Sequence, residues 1–392
     1  MAEVEFDFEK LKDAYENFRH PLVIVKVNGK DLAKDKQLLS ISDIEVELTS
    51  GFEAAIASFW IFDCYDSITS VFEFEGIKKY VFMGSPVLIE MGYGMCVREV
   101  FRGFISQVNF SFQEGEIPGV KVTAMDVKGI MMSGSYARQL AVTCYSDAVS
   151  QILSQTAYER LKSNEVITKL NIADTPDKKP PGANASDMTT DKTIEMVDES
   201  DYEFVVRAAK KFNYEFFTVG GTVYFRKAKD NAALLMELGP QTGMHSFDVE
   251  YNISGLVGKI EVRGLDVGKA KQISAVKKMG NKISKGNKAK PLVTNTKKVY
   301  IDPTVSSKQE AGYRADYLAE DISYRLATLE AELIGIPELI PGRFIRISAL
   351  SSAVSDMFYL VKVRQIMDGS KGYITKITGK AASMENTENG IF

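Results

Sequence analysis

The sequence predicts a mainly β protein of the α+β class, built from two antiparallel β domains with a helix-hairpin unit between them. Apolar and polar residues alternate in short runs from about residue 20 to about residue 130, and again near the C-terminus. A period of two is typical of strands with one buried face. Between these regions, a helical period around residues 200–213 is followed by two short β-rich runs on either side of Gly220-Gly221.

The composition is that of a globular protein with room for two or three domains. The chain has 392 residues, 45% hydrophobic and 26% charged, and a formal net charge of −4. Such a small charge favours neither general nucleic-acid binding nor an acidic tail. No apolar run reaches the ~20 residues of a membrane span, and the N-terminus lacks a signal-peptide core. Cys64, Cys96 and Cys144 have no close pairing or metal-ligand spacing, which indicates reduced thiols in a protein made in the cytosol.

The first part of the chain reads as a short helix followed by a β domain. Residues 1–19 contain an amphipathic helical pattern, which Pro21 ends. Residues 20–135 hold alternating runs separated by turn residues, with Asn28-Gly29 as a hairpin turn. This pattern is typical of an antiparallel barrel or sandwich.

The middle of the chain, residues 136–235, is predicted to form an α/β domain. An exposed loop is expected at residues 171–190, which are rich in Asp, Lys, Pro and Thr. Ser200 is a predicted N-cap, with Glu203 at the capping-box position of the helix that follows.

The second β domain is predicted at residues 236–380. It contains a lysine-rich loop at 267–298, a long helix at 306–334 and a run of strands, and a polar tail follows at 381–392. Prolines after residue 334 force the chain out of the helix. In the strand run, Asp368-Gly369 is predicted as the tight turn, with φ > 0, that joins two antiparallel strands.

The lysine-rich loop has two interpretations. It is either a solvated flexible loop, or a basic surface that contacts an acidic partner or lines a channel. A protein contact is expected over a nucleic-acid contact, because aromatic stacking residues are missing from the run. The candidate contact residues are Lys269, Lys271, Lys277, Lys278, Lys282, Lys285, Lys288 and Lys290.

Several stretches together carry a resemblance to a known family. They are GSPVLIEMGYG, VFRGFISQVNF, DYEFVVRAAKKFNYEFFTVGGTVYFRK and the C-terminal GIPELIPG, YLVKV and GYIT. In this order the chain resembles the phage late control D family, the baseplate hub proteins of contractile tails, and the hub part of type VI secretion spikes. The resemblance implies two tube-like antiparallel β-barrel domains with a helix-hairpin α/β unit between them. One departure is that many members carry a histidine where Arg364 or Gln365 stands here.

The resemblance also implies a structural role without catalytic residues, cofactor or metal. The expected function is the hub of a contractile tail or phage-tail-like injection particle, a homotrimer that adapts a six-fold tail tube to a three-fold spike. The implied partners are a tail tube protein above, a separate spike protein below, baseplate wedge proteins and a tape measure protein. The implied location is a virion tail baseplate assembled in the bacterial cytoplasm, without membrane insertion or sequence-specific nucleic-acid contact.

Two alternatives remain open from the sequence. A baseplate-associated peptidoglycan hydrolase would need paired carboxylates, and a carbohydrate-binding β module would need exposed aromatic platforms. The chain has two histidines and no HExxH, GxSxG or phosphate-loop motif, and its aromatic residues mostly occupy core-like positions. Acids at a helix start are the simpler interpretation of the candidate carboxylate pairs. Those pairs are Asp198/Glu199 and Asp201/Glu203.

Overall fold

The structure, a computed structural model, describes residues 4–34, 40–72, 81–178, 193–266, 268–283, 288–348 and 357–384. Its α-helices are α1 (Phe8–Ala14), α2 (Lys128–Met131), α3 (Tyr145–Leu153), α4 (Glu159–Ser163), α5 (Asp201–Phe212), α6 (Ala289–Thr294) and α7 (Lys308–Ser323). Short 3-10 helices span Glu16–Phe18 and Thr156–Tyr158.

The strands outnumber the helices, which confirms the prediction of a mainly β protein. They are β1 (Pro21–Val27), β2 (Lys30–Asp31), β3 (Ser40–Thr49), β4 (Ile56–Phe62), β5 (Tyr65–Asp66), β6 (Val71–Phe72), β7 (Pro86–Tyr93), β8 (Cys96–Ser111), β9 (Gly119–Met125), β10 (Tyr136–Leu140), β11 (Lys169–Ile172), β12 (Ile194–Glu199), β13 (Tyr214–Val219), β14 (Thr222–Lys227), β15 (Leu234–Leu238), β16 (Met244–Tyr251), β17 (Lys259–Asp266), β18 (Lys271–Lys278), β19 (Lys282–Ile283), β20 (Lys297–Ile301), β21 (Ala327–Ile334), β22 (Phe344–Ile347), β23 (Met357–Asp368), β24 (Gly372–Ala381) and β25 (Ser383–Met384).

One large sheet joins the two predicted β domains. Its strands follow the order β16-β21-β24-β23-β3-β4-β9-β8-β7-β1-β2, with β22 and β15 attached beside β23. The junction is the antiparallel ladder of β3 with β23, in which Val46 lies opposite Gln365. Among the described residues, no ladder closes either half into a barrel of its own, because the path of paired strands is open at both ends.

The main core covers one face of this sheet, and polar residues occupy much of the other. In β9, Val120, Val122 and Ala124 are fully buried, whereas Lys121 and Thr123 between them are partly exposed. This alternation is that of an antiparallel sheet with one packed face. Helix α1 packs on the same core through buried residues Leu11 and Tyr15.

Two of the three predicted hairpin turns are two-residue turns at the predicted positions. Asn28 and Gly29 both have positive φ, as do Gly220 and Gly221, as a type I′ turn requires. The third is wrong in detail, since Asp368 lies opposite Gly372 and the positive φ falls on Gly372. The Asp368 carboxylate accepts the backbone N–H of Ser370 at 2.6 Å, and this side-chain contact closes a longer loop.

The middle unit has its own core, formed by α3, α5 and the three-stranded sheet β11-β14-β13. The predicted capping box is confirmed, because Ser200 and Glu203 bond to each other's backbone N–H. Of the predicted loop 171–190, the first two residues belong to β11, and residues 179–190 lie outside the described residues.

The predicted helix at residues 306–334 is wrong over its second half. Helix α7 ends at Ser323, and Ala327–Ile334 forms strand β21, whose side chains alternate between buried and partly exposed. The segment is rich in Ala, Leu and Glu, which favour helices in isolation. Pairing with both β16 and β24 overrides that preference because it buries Leu329, Ala331 and Leu333 in the main core.

The lysine-rich segment is not a loop, which corrects the prediction for residues 267–298. It contains β18, β19 and α6 and reaches into β20. The predicted tail at residues 381–392 also begins in regular structure, since Ala381 ends β24 and β25 pairs with β19. Residues 385–392 lie outside the described residues.

The turn after β21 is held by a buried glutamine. The Gln365 side chain is fully buried, and its amide nitrogen donates to the carbonyl oxygens of Ile336 (3.0 Å) and Leu339 (3.3 Å). Its amide oxygen accepts from the hydroxyls of Tyr373 (3.0 Å) and Thr375 (2.6 Å). Gln365 therefore connects the turn after β21 to β24 from within the core.

Two further findings concern the thiols and the membrane. The three cysteines are free, and Cys64 and Cys144 are buried. In the part of the chain that the structure describes, no helix combines the length and apolar character needed to cross a bilayer.

Candidate partner-contact surface

The lysine-rich segment folds into a third compact unit. Strands β18, β17 and β20 form a three-stranded sheet, with β18 antiparallel and β20 parallel to the central strand. Helix α7 packs on one face of this sheet, where Ile260 and Val262 meet the buried face of the helix. The other face of the sheet carries none of the residues of the unit's core.

The structure distributes the predicted contact lysines over this unit instead of gathering them. Lys271, Lys277 and Lys278 lie on β18, and Lys277 binds Asp316 of α7 at 2.6 Å, on the helix side. Lys269 lies 3.8 Å from Asp266. The remaining candidates are Lys282 on β19, Lys288 at the start of α6, Lys290 within α6, and Lys285, which lies outside the described residues.

The open face of the sheet has a regular arrangement that only the strand register reveals. Lys259 at the start of β17 lies opposite Lys278 on one side and Lys297 on the other, so three lysines form a row across the sheet. In the next row of this face, Val276 and Val299 flank Glu261.

Apolar side chains next to the lysine row are exposed. Val276 is 57% exposed, Val299 42% and Ile301 83%, whereas Ile260 and Val262 on the helix side are fully buried. We call this face, formed by Lys259, Lys278, Lys297, Val276, Val299 and Ile301, the basic face. The predicted contact residues did not include Lys259, Lys297 or the apolar members of this face. The signal that separates its two faces is the alternation in β17 of Ile260 and Val262 with charged residues.

Glu261 lies between Val276 and Val299 of the basic face. It accepts a hydrogen bond from Arg263 Nε at 2.9 Å and forms an ion pair with Lys297. The hydrogen bond from Arg263, and after it the one from Lys297, lower the pKa of Glu261 to about 2. This carboxylate is therefore ionised throughout the neutral range and holds Arg263 and Lys297 in place.

We predict that Glu261→Gln lowers stability at neutral pH but not in strong acid. A carboxyl whose pKa is lowered in the fold stabilises it above the ordinary pKa and loses that contribution as pH falls. The difference in denaturation midpoint between the wild type and Glu261→Gln should therefore be constant above about pH 5.5 and shrink toward pH 2. Urea denaturation at several pH values tests this, with the exposed-loop variant Glu114→Gln as control. A difference that does not change with pH would contradict the assignment.

An exposed strip of opposite charge lies at one end of the main sheet. On the polar face of the edge strand β16, Asp248 lies directly opposite Glu330 of β21, and Glu250 lies opposite Thr328. All three acidic side chains are exposed. We call Asp248, Glu250 and Glu330 the acidic strip. The neighbouring Glu332 is instead paired with Lys376 at 3.0 Å.

A cleft of about 610 Å³ lies between the middle unit and the lysine-rich unit. Its acidic side chains are already bound: Glu203 caps α5, Glu310 pairs with Lys211 at 3.1 Å, and Asp302 accepts from Arg314 Nε at 3.1 Å. The pair of Lys211 with Glu310 holds α5 against the start of α7, and the other two contacts lie within one unit each.

The carboxylates considered for a hydrolase also hold the fold together. Asp201, buried in the first turn of α5, accepts from Arg138 at 2.5 Å and from the Tyr158 hydroxyl at 2.6 Å. Glu199 pairs with Arg207 at 2.6 Å, and Asp198 accepts from Ser135. Asp198 and Glu199 end strand β12 instead of starting a helix. Within the described ranges, no group of three or more His, Cys, Asp or Glu side chains could hold a metal.

Comparison with known proteins gives matches among solved structures only. No protein-family model and no curated protein sequence matches the chain. The tail protein of Neisseria meningitidis MC58 is similar in structure, with a TM-score of 0.65 and 13% identity, over 93% of this chain and 97% of its own. The 43 kDa tail protein of prophage MuSo2 from Shewanella oneidensis has a TM-score of 0.64 and 12% identity, over 92% and 98%.

The chain has the fold of a phage tail protein. A component of the type VI secretion system of E. coli, itself described as similar to tail proteins of bacteriophage T4, also matches with a TM-score of 0.54 and 11% identity, over 91% of this chain and 76% of its own. The resemblance to phage tail and type VI spike proteins that was drawn from sequence motifs is therefore confirmed at the level of the fold. The tail-protein fold extends over nearly the whole chain and includes the middle unit.

Proposed function

We propose that this protein is a structural hub of a contractile phage tail or of a phage-tail-like injection particle, of the late control D type. The observation that carries the proposal is that the tail-protein fold accounts for 93% of this chain and 97% of the Neisseria tail protein. Because the match covers nearly all of both chains, little of this chain is left for a separate catalytic domain. The carboxylates that suggested a hydrolase are engaged in structural contacts, which favours a structural role.

The proposed assembly is a homotrimer in which each chain supplies two tube-like halves. The half built on β3, β4, β9, β8, β7 and β1 and the half built on β16, β21, β24 and β23 share one open sheet. An open sheet leaves edge strands whose backbone groups are available for pairing with another chain. Three chains would then present six similar halves to a six-fold tube and three-fold symmetry to a spike.

The part of the polar face formed by β3 and β23 is suited to line the passage of such a ring. Across β3 and β23, Lys362 binds Glu47 at 2.7 Å and Arg364 Nε binds Glu45 at 2.7 Å, so the charges on this face are locally balanced. A balanced polar surface stays hydrated without attracting a charged cargo strongly. The proposed partners are a tail tube protein, a spike protein, wedge proteins and a tape measure protein, and the proposed location is the tail baseplate.

The mass of the purified protein tests this proposal. One chain has a mass of 43.5 kDa, so light scattering should give 130.5 kDa for three chains at micromolar concentration. Averaged electron micrographs should show a three-fold ring. A mass of one or two chains at every concentration would contradict the homotrimer, and clearing of cell walls in a zymogram would contradict the purely structural role.

A further inference from the structure

The basic face carries an unfavourable arrangement of charge within a single chain. Lys259 and Lys278 lie directly opposite each other on neighbouring antiparallel strands, and like charges in that position destabilise a sheet. Lys297 is paired with Glu261, a carboxylate it shares with Arg263, but no ion pair joins Lys259 or Lys278 to an acid among the described residues. An external carboxylate would relieve this repulsion.

The acidic strip also places two like charges directly opposite each other, in this case negative ones. Asp248 and Glu330 lie directly opposite each other on neighbouring antiparallel strands, and in the described part of the chain neither makes an ion pair. Neighbouring strands in any sheet are about 4.8 Å apart. The two acidic residues of the strip therefore have the same cross-strand backbone spacing as Lys259 and Lys278 of the basic face.

The basic face also has exposed apolar residues, since Val276 and Val299 lie in the row next to the lysines. Burial of these side chains against a second chain would add a hydrophobic contribution to the charge pairing. The distribution of charge along the sequence also favours a contact between the lysine-rich segment and the remainder of another chain. Residues 268–298 hold ten lysines and no acid, and removing them from the net charge of −4 leaves −14 on the remainder.

We infer that the basic face of one chain docks on the acidic strip of a second copy of this chain. The contact places Lys259 and Lys278 against Asp248 and Glu330 and covers Val276 and Val299. It is heterologous, because the two surfaces differ, and a heterologous contact that closes generates a ring. The inference rests on the proposed homotrimer and specifies which surfaces form it.

Charge reversal and charge exchange test the contact. The basic-face variant is Lys259→Glu/Lys278→Glu, the acidic-strip variant is Asp248→Lys/Glu330→Lys, and the exchange variant combines all four substitutions. Self-association is measured by sedimentation velocity and light scattering at 50 and 500 mM NaCl. Each reversed variant should weaken association at least 100-fold, and the exchange variant should regain it to within about 10-fold of wild type, since its charges are complementary again. Wild-type association should also weaken at the higher salt concentration.

A matched control separates the contact from general effects of charge. Lys169→Glu/Lys227→Glu introduces the same change in net charge on exposed lysines of the middle unit and should leave association unchanged. Circular dichroism and thermal melting verify that every variant folds. If one reversed variant fails to fold, the reversed variant that does fold is mixed with an equal amount of wild type. The unchanged surface of that variant complements a wild-type surface, so one contact per pair should still form.

The outcomes distinguish this inference from the proposed function. A wild-type trimer that survives both reversals overturns the contact and leaves the hub proposal standing. A wild-type dimer that is lost on reversal and regained on exchange supports the contact and contradicts the homotrimer. A wild-type protein that is monomeric at all concentrations overturns both.

Discussion

Replacement of Gln365 by leucine is expected to lower the free energy of unfolding by about 3–5 kcal/mol. The glutamine is fully buried and satisfies two backbone carbonyls and two hydroxyls around the turn at Gly335. Leucine has a similar volume but leaves these groups without their partner, and each unpaired buried group costs about 1–3 kcal/mol. Since the turn connects β21 to the strands around β23, its loosening should also expose the Tyr373 side chain.

Chemical denaturation followed by tyrosine fluorescence measures this effect. Gln113→Leu, at an exposed loop position, is the matched control and should change stability by less than about 0.5 kcal/mol. Gln365→His replaces the amide by an imidazole ring. Because imidazole can donate one hydrogen bond and accept another, its cost should lie between those of leucine and wild type. A loss below about 1 kcal/mol for Gln365→Leu would show that the network does not hold the turn.

Removal of the Lys128 side chain should have a comparably large effect. Lys128 is fully buried, and its ammonium group donates to the carbonyl oxygens of Glu53 (2.6 Å) and Gly51 (3.3 Å). It also lies 5.4 Å from the ring centre of Phe216, on the middle unit. The neighbouring Asp126 is 1% exposed, and burial raises its pKa while burial lowers the pKa of Lys128. Lys128 therefore links the β3–β4 connection to the middle unit, and the burial of both charges carries a desolvation cost.

Lys128→Ala is expected to destabilise the protein by about 3–5 kcal/mol, because it leaves the Asp126 carboxylate buried without its compensating charge. Lys169→Ala, an exposed lysine of β11, is the control and should be nearly neutral. The double variant Lys128→Met/Asp126→Asn removes both charges and should recover part of the loss. Equal losses for Lys128→Ala and the double variant would mean that packing, and not charge compensation, dominates at this position.

Local chemistry in the sequence determined the strand pattern, the caps and most turns. The period of two in β9, the capping box at Ser200 and the left-handed pairs at Asn28-Gly29 and Gly220-Gly221 depend on residues within a few positions of each other. Such features need no knowledge of distant segments. The order of these motifs along the chain was also sufficient for the resemblance to tail proteins, even at 13% identity to a solved tail protein.

Contacts between distant segments decided the rest. Ala327–Ile334 is a strand because β16 and β24 bury its alternate side chains, although its composition favours a helix. The lysine-rich segment folds because Ile273 and Ala275 pack with the core beneath α7. These apolar residues are few in a run that is dominated by charge, which is why the sequence favoured a loop. The row of three lysines, the opposition of Asp248 and Glu330, and the burial of Gln365 depend on strand register. Register is fixed by which strands become neighbours, and a one-residue shift would send each of these side chains to the other face.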